Sequence, residues 1–350
     1  MFVSLFFACY LALSPGSFQW NPAAHTRIFL PAPENPAPAR EVPRADPNTT
    51  VSYAGGQSQL GEGGTDSLVV LSWNLENFFD WKCDSLSTSE MEFSSSGARR
   101  WTWKRFNRKC SGIAKTVLAS ASRTGRLPDV LAFQEVENRR ALTRLIEDTP
   151  LRKCGYRTVH FESPDRRGID CALLYRSSSL KLKFAAPCHL YDSTGKVLRT
   201  RDIVLAEFFL PQDSGRFAVL VNHHPSKLGR NSGSLRDIAT GRMVQLADSL
   251  VAGGCGSVVA VGDFNRPMDW IDKSCKGGTL KFNGNWERID GCPLARGAEV
   301  REIVLDFPFL LTRDTSSGGL KPLRTYSGPR YLGGISDHLP VVSIIIRGHP

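Results

Sequence analysis

Acidic, amide and imidazole side chains recur in six short clusters, each at the end of an apolar run. In chain order the clusters are Trp73-Asn74-Leu75-Glu76-Asn77, Gln134-Glu135-Val136, Gly168-Ile169-Asp170, Asn222-His223-His224, Gly262-Asp263-Phe264-Asn265 and Ser336-Asp337-His338. Carboxylate and amide oxygens bind hard divalent cations such as Mg²⁺, and imidazoles exchange protons near neutral pH. If the strand ends converge on one edge of a sheet, the clusters build a site with three kinds of group, which are oxygen ligands for a hard cation, imidazoles and amides.

The apolar runs that precede these clusters have the character of buried strands, because they are short and rich in β-branched residues. The clearest predicted strands are Leu68–Ser72, Val130–Phe133, Phe217–Val221 and Val258–Val261. Helical spacing of apolar residues predicts helices over Trp103–Ser120, Arg139–Glu147 and about Ser234–Leu250. Several strands follow one another without a helix between them, which favours a mostly antiparallel two-sheet sandwich flanked by helices over a doubly wound parallel sheet.

Two longer stretches carry a family resemblance. They are Asn74-Leu75-Glu76-Asn77-Phe78-Phe79-Asp80 and Gly333-Gly334-Ile335-Ser336-Asp337-His338-Leu339-Pro340. Together with the other clusters, in this order, they resemble the endonuclease/exonuclease/phosphatase superfamily, whose fold is that of deoxyribonuclease I, and most closely its bacterial branch. The resemblance implies an α/β fold, a four-layered sandwich of two packed sheets flanked by helices. We expect this catalytic domain to occupy residues 67–348.

The resemblance also implies a metal site. It places Mg²⁺ at Asn74, Glu76, Glu135 and Asp337, with Mn²⁺ and Ca²⁺ as alternative ions. Magnesium prefers carboxylates and retained water, and this set suits that preference. Taken one at a time, Glu76 and Glu135 are better interpreted as solvated carboxylates at strand ends, and the other motifs reverse this interpretation.

Two histidine–carboxylate pairs are implied by the resemblance. His338 would be oriented by Asp290, and His223 by Asp170. A carboxylate partner holds the tautomer and raises the basicity of an imidazole, as general acid–base catalysis requires. Each histidine taken alone is also consistent with a hydrogen-bonded core or turn residue.

A further part of the site is the alternating pair Asp263 and Asn265, which the resemblance assigns to orienting the attacking water and a phosphoryl oxygen. Without the other clusters, this pair would simply form an Asx-turn after its strand.

The balance of charges favours a polyanionic partner. Lys and Arg number 44 against 34 for Asp and Glu, a formal net charge of +10. Such a surplus suits nucleic acid or an anionic membrane. Arg167, Lys227 and Arg324 are predicted contacts for the substrate phosphate, whereas the basic aromatic cluster that begins at Trp101 receives no role at this stage.

The favoured function is a Mg²⁺-dependent, sequence-nonspecific endonuclease that acts on DNA as a monomer. The alternative is the same chemistry on a lipid or small-molecule phosphoester, as in the sphingomyelinase and inositol-phosphatase branches. A third possibility, a catalytically inactive binding domain, predicts lost motif residues, and none is lost.

The first 66 residues differ in composition from the rest. The apolar run Phe2–Leu13 predicts a signal peptide over residues 1–17 and export to the periplasm, cell surface or medium. Seven prolines between Trp20 and Pro47, followed by glycines, predict a disordered tether over residues 18–66. Eight cysteines would remain after cleavage, and we expect disulfides that join Cys83 to Cys110 and Cys275 to Cys292.

Overall fold

Two sheets dominate the described part of the chain. A computed structural model describes residues 67–82, 88–211, 214–227, 232–267 and 277–348. The predicted signal peptide and tether lie outside these residues. None of the described helices is long and apolar enough to cross a membrane.

Seventeen strands and four α-helices make up the described fold. The strands are β1 (Ser67–Phe78), β2 (Val130–Val136), β3 (Tyr156–His160), β4 (Asp170–Arg176), β5 (Lys181–Cys188), β6 (Ile203–Phe209), β7 (Arg216–His223), β8 (Ser257–Asp263), β9 (Leu280–Phe282), β10 (Asn285–Glu287), β11 (Asp290–Arg296), β12 (Ala298–Val304), β13 (Leu311–Arg313), β14 (Leu320–Pro322), β15 (Tyr326–Ser327), β16 (Arg330–Tyr331) and β17 (Val341–Arg347). The helices are α1 (Thr88–Glu92), α2 (Trp103–Thr124), α3 (Arg139–Glu147) and α4 (Ser232–Ala252).

Both large sheets are mixed, with one parallel strand pair among antiparallel pairs. Six strands form the first sheet in the order β12-β17-β1-β2-β4-β3, and five form the second in the order β11-β8-β7-β6-β5. Pairing is antiparallel except for β1 with β2 and β7 with β8, which run parallel. Each sheet therefore has one central parallel pair whose two carboxyl ends lie side by side.

Side chains that alternate between the two faces of each strand form three separate apolar clusters in the core. In β1, Leu71 faces the helices α2 and α3, whereas Val70 faces the second sheet. In β7, Val219 faces the first sheet, whereas Leu220 packs against α4. Successive strand residues point to opposite faces, so each sheet buries both of its faces. The order is helices, sheet, sheet, helix, which confirms the predicted four-layered sandwich.

Local signals account for the helix ends. The Thr102 side chain accepts a hydrogen bond from the Arg105 backbone at the start of α2, which ends at Gly125 with a left-handed φ of 76°. α2 thus continues four residues beyond the predicted end at Ser120. The bounds of α3 match the prediction, and α4 begins two residues before the predicted Ser234.

Cysteines in the described residues are not paired. Six of them have free thiols, among them Cys110 and Cys292. Their predicted partners, Cys83 and Cys275, lie outside the described residues, so the two disulfides stay predictions.

The contact between α3 and the first sheet should be essential for stability. Leu142 is fully buried there, so Leu142→Ala should lower the free energy of unfolding by about 2–5 kcal/mol through lost transfer energy and a residual cavity. Urea denaturation measures this change. The matched control is Leu320→Ala, at a side chain that is 49% exposed, and we expect a change within about 0.5 kcal/mol. Equal losses in the two variants would contradict the assigned packing.

Candidate active site

The parallel strand pairs bring the polar clusters together at one edge. In the first sheet, Asn74 of β1 lies opposite Gln134 of β2. In the second sheet, His223 of β7 lies opposite Asp263 of β8, and Asp263 also lies opposite Asp290 of β11. Four strands that begin far apart in the chain thus end with their polar residues side by side.

A direct hydrogen bond joins the two sheets at this edge. The Asn74 side-chain amide donates to the Asp263 carboxylate over 3.0 Å. The Ser336 hydroxyl donates to the Asn74 carbonyl over 2.6 Å and accepts from the His338 backbone over 3.0 Å. Three of the six clusters are therefore connected by consecutive hydrogen bonds.

His338 forms the predicted pair with Asp290. Its Nδ1 lies 2.9 and 3.1 Å from the two carboxylate oxygens. Its Nε2 lies 3.9 Å from Asp263, and ligand atoms of Asp263, Asp290 and His338 all fall within 4.8 Å of one another. His223 approaches the same point, with Nε2 at 3.7 Å from Asp263 and 3.9 Å from Glu135.

The environment shifts the pKa values of the two histidines in opposite directions. Burial lowers the pKa of both rings, but Asp290 and Asp263 outweigh it at His338 and raise that pKa well above its ordinary value. At His223, burial is reinforced by nearby Arg201 and the pKa falls well below its ordinary value. Burial, reinforced by Asp290, raises the pKa of Asp263 to about 7. The site thus contains one imidazole that favours its cationic form and one that favours its neutral form.

The three carboxylates predicted to bind metal all influence one buried lysine. Glu76, Glu135 and Asp337 all act electrostatically on the Lys109 ammonium, opposing the burial that lowers its pKa to about 8. Lys109 donates hydrogen bonds to the Glu76 carbonyl and to the Thr325 hydroxyl, the latter over 2.9 Å. The three carboxylates therefore lie in one part of the structure.

The donor set suits a hard divalent cation. Burial raises the pKa of Glu76 to about 7, and Asp337 adds to the rise against the opposing Lys109 and Arg324. The two cations therefore offset the effect of burial on Glu76 only in part. Together with Glu135 and the Asn74 amide oxygen, these residues offer oxygen ligands only, as Mg²⁺, Mn²⁺ and Ca²⁺ prefer.

The site is built on unusual backbone. Glu76, Asn77, Glu135 and Asn265 have positive φ angles of 49°, 52°, 62° and 50°. Only three other non-glycine residues in the described chain do so. Such conformations cost free energy and concentrate at functional sites, where surrounding contacts maintain them. One such contact is the hydrogen bond from the Asn77 backbone to the Glu135 carboxylate, at 2.7 Å.

Asn265 braces the turn that follows β8. Its backbone N–H donates to the Asp263 carboxylate and its side-chain amide donates to the His224 carbonyl, both over 2.9 Å. The Asx-turn is thus present, and it fixes the carboxylate of Asp263 against the end of β7.

Asp170 does not pair with His223 as predicted. Its Oδ2 lies 3.3 Å from Nε2 of His160, and its Oδ1 accepts a hydrogen bond from the Ser163 backbone over 3.0 Å. The register of β3 against β4 places His160 opposite Ala172, close to the first residue of β4. Within the described residues, Nδ1 of His223 has no hydrogen-bond partner.

The three predicted phosphate-binding cations contact carboxylates in this structure. Arg324 bridges two predicted metal ligands, with Nε 3.0 Å from Glu76 and Nη2 2.9 Å from Asp337. Lys227 contacts Glu287, and Arg167 lies 3.8 Å from Glu135. Arg324 and Arg167 thus lie at the site, bound to its acidic residues.

Lys109 is the site residue that sequence reasoning missed. It is fully buried on α2, in line with Phe106 and Ile113. A lysine within the apolar stripe of a helix is a detectable signal, because buried lysines are rare unless they are paired.

Two packed sheets with acidic, amide and imidazole groups meeting at one edge define the sandwich class of phosphoester hydrolases. The model of the Endonuclease/Exonuclease/phosphatase family matches residues 69–285, and the chain belongs to this family. Members of this superfamily are divalent-metal-dependent hydrolases that act on phosphoester bonds.

One solved structure supports the same fold, and two others are similar to this chain at lower TM-scores. A conserved protein of unknown function from Enterococcus faecalis V583 is 15% identical, covers 80% of this chain and 100% of its own, and gives a TM-score of 0.50. The human Nocturnin catalytic domain with bound sulfate is 16% identical, with 81% and 94% covered and a TM-score of 0.48. TDP2 from Caenorhabditis elegans is 16% identical, with 80% and 74% covered and a TM-score of 0.47. A search of curated protein sequences finds no match.

Removal of one predicted ligand should weaken metal binding. Glu135→Gln exchanges a charged donor for a neutral one, so we expect affinity for Mn²⁺ to fall at least about tenfold, as measured by calorimetric titration. The matched control is Glu147→Gln, whose carboxylate is exposed on α3. An unchanged Mn²⁺ affinity in the Glu135 variant would remove this residue from the metal site.

Proposed function

We propose that this chain is a Mg²⁺-dependent phosphodiesterase that hydrolyses nucleic acid, with DNA as its substrate. The observation that carries the proposal is the His338–Asp290 pair, which faces Asp263 at the edge that also carries the three acidic residues predicted to bind metal. This combination offers both proton transfer and charge neutralisation.

The residues that would hold the cation are Asn74, Glu76, Glu135 and Asp337. A bound Mg²⁺ would neutralise the phosphoryl oxygens and so favour attack by water. Two of these side chains are already held in place by hydrogen bonds, Glu135 by the Asn77 backbone N–H and Asn74 by the Asp263 carboxylate.

Proton handling is assigned to the second sheet and the loop that packs on it. Asp290 holds the His338 ring through Nδ1, so that Nε2 faces Asp263 and would give its proton to the leaving oxygen. Asp263 is fixed by the Asn74 amide and the Asn265 backbone, and its carboxylate would orient the attacking water and accept its proton. A preorganised arrangement of this kind needs little rearrangement during the reaction.

Charge supports nucleic acid as the substrate class. The net charge of +10 attracts polyanions and would speed their encounter with the site. We further propose that the chain acts as a monomer. We also propose export before action, on the basis of the apolar start Phe2–Leu13.

A substrate panel tests the proposal. The purified chain is incubated with plasmid DNA, RNA, sphingomyelin and inositol phosphates, each with Mg²⁺ or with EDTA. We expect cleavage of DNA in Mg²⁺ alone, because charge neutralisation of the phosphate depends on the cation. Hydrolysis of sphingomyelin or an inositol phosphate without any nuclease activity would replace our proposal with the lipid or small-phosphoester function.

Loss of the imidazole at position 338 should remove most of the activity. His338→Ala eliminates the ring that Asp290 orients, and we expect the rate of DNA cleavage to fall by about 10²-fold or more. His189→Ala is the matched control, because His189 pairs with Asp202 over 2.8 Å outside the site cluster. A His338 variant that cleaves DNA at the wild-type rate would exclude this residue from the mechanism.

A further inference from the structure

A long stretch of the chain beside the site contains no acidic residue. Residues 93–128 include nine Lys and Arg and no Asp or Glu. Lys104 and Arg105 occupy the first turn of α2, where a helix dipole favours negative charge. Helix stability therefore does not explain these cations.

Four cations on this side of the molecule are exposed and have no acidic neighbour. Arg100, Lys104, Arg108 and Arg330 have no carboxylate within 4.0 Å among the described residues. The positive charge on this side is thus available to an external anion.

Aromatic residues accompany these cations. Trp103 is 54% exposed at the start of α2, although large apolar side chains are usually buried. The Arg105 guanidinium lies 4.3 Å from the Tyr331 ring centroid, and Arg99 lies 5.3 Å from that of Tyr326. These cation–π contacts join the start of α2 to the β15–β16 hairpin and hold the surface in one shape.

The surface is continuous with the active site. Nε of Arg108 donates to the Gly333 carbonyl over 3.2 Å, and Gly333 begins the stretch that ends in Asp337 and His338. Lys109, which follows Arg108 in α2, donates a hydrogen bond to the Glu76 carbonyl. A strand bound along this surface would therefore reach the acidic residues of the site directly.

We propose that Arg100, Trp103, Lys104, Arg108 and Arg330, here termed the basic platform, bind a single-stranded segment of the nucleic acid substrate. The cations would pair with successive phosphates, and the exposed indole would stack on an unpaired base. This inference rests on the proposed function and deepens it, because it assigns the strand that the site cleaves to a defined surface.

Binding without hydrolysis tests the platform. The full chain is titrated, in EDTA, against fluorescein-labelled oligo(dT), and anisotropy is followed over a range of salt concentrations. Arg100→Gln/Lys104→Gln/Arg330→Gln should weaken binding at least about tenfold and reduce the log–log salt slope by about 2, because three phosphate contacts are lost. Trp103→Ala should weaken binding by about tenfold through lost stacking. Thermal melting checks that each variant is folded.

The matched control removes three cations at the opposite end of the first sheet. Arg152, Lys153 and Arg157 are exposed. Arg157 lies opposite Tyr175, near the last residue of β4, whereas the first residue of β4 is Asp170. The triple glutamine variant of these residues should bind oligo(dT) like the wild type.

Three outcomes would overturn the platform. The first is an equal loss of oligo(dT) affinity in both triple variants, and the second is wild-type affinity in the platform variant. The third is a platform variant that loses binding to phosphatidylglycerol vesicles but still binds oligo(dT), which would indicate a membrane surface. Wild-type cleavage of DNA alongside any of these would leave the proposed function standing. A wild-type chain that hydrolyses only small phosphoesters would instead refute the proposed function itself.

Discussion

One hydrogen bond joins the two sheets where the chemistry is expected, between the Asn74 amide and the Asp263 carboxylate. Asn74 lies in β1 and Asp263 ends β8, and these two strands belong to different sheets with no strand pairing between them. Because the sheets pack through apolar side chains, which set no unique register, a polar contact at the edge fixes how the two halves of the site face each other. Ser336 extends this link to the loop that carries His338.

This arrangement buries charge at a substantial cost. Asp263 and Asp290 are 1% exposed, and His338 only 8%. Removing one member of a buried charge pair typically costs about 3–5 kcal/mol, since its partner is left uncompensated. The carboxylates of Asp290 and Asp263 raise the pKa of His338 against the effect of burial, whereas burial raises the pKa of Asp263 to about 7. Stability and chemistry at this edge thus depend on the same contacts, as expected for a site that is preorganised before substrate binds.

The sequence predicts the framework better than the contacts. Apolar runs that end in polar residues correctly predict the central strands, because the position of a strand end is visible in the local sequence. The parallel pairing of these strands then brings Asn74 and Asp263 to one edge. Partner choice is different, because it depends on register between strands distant in the chain. Asp170 therefore pairs with His160, which no local pattern indicates. For Lys109, the apolar stripe of α2 indicates burial, but its partners at Glu76 and Thr325 come from other elements and are not indicated locally.

Localisation of a bound cation tests the central claim most directly. A crystal of the chain soaked in Mn²⁺ would reveal the ion through its anomalous scattering. We predict a single strong peak within coordinating reach of the Glu76 and Glu135 carboxylates, at the edge where the two sheets meet. A saturated crystal with no ion there, or with the ion bound only by His160, Glu162 and Asp170, would contradict the proposed hydrolytic centre.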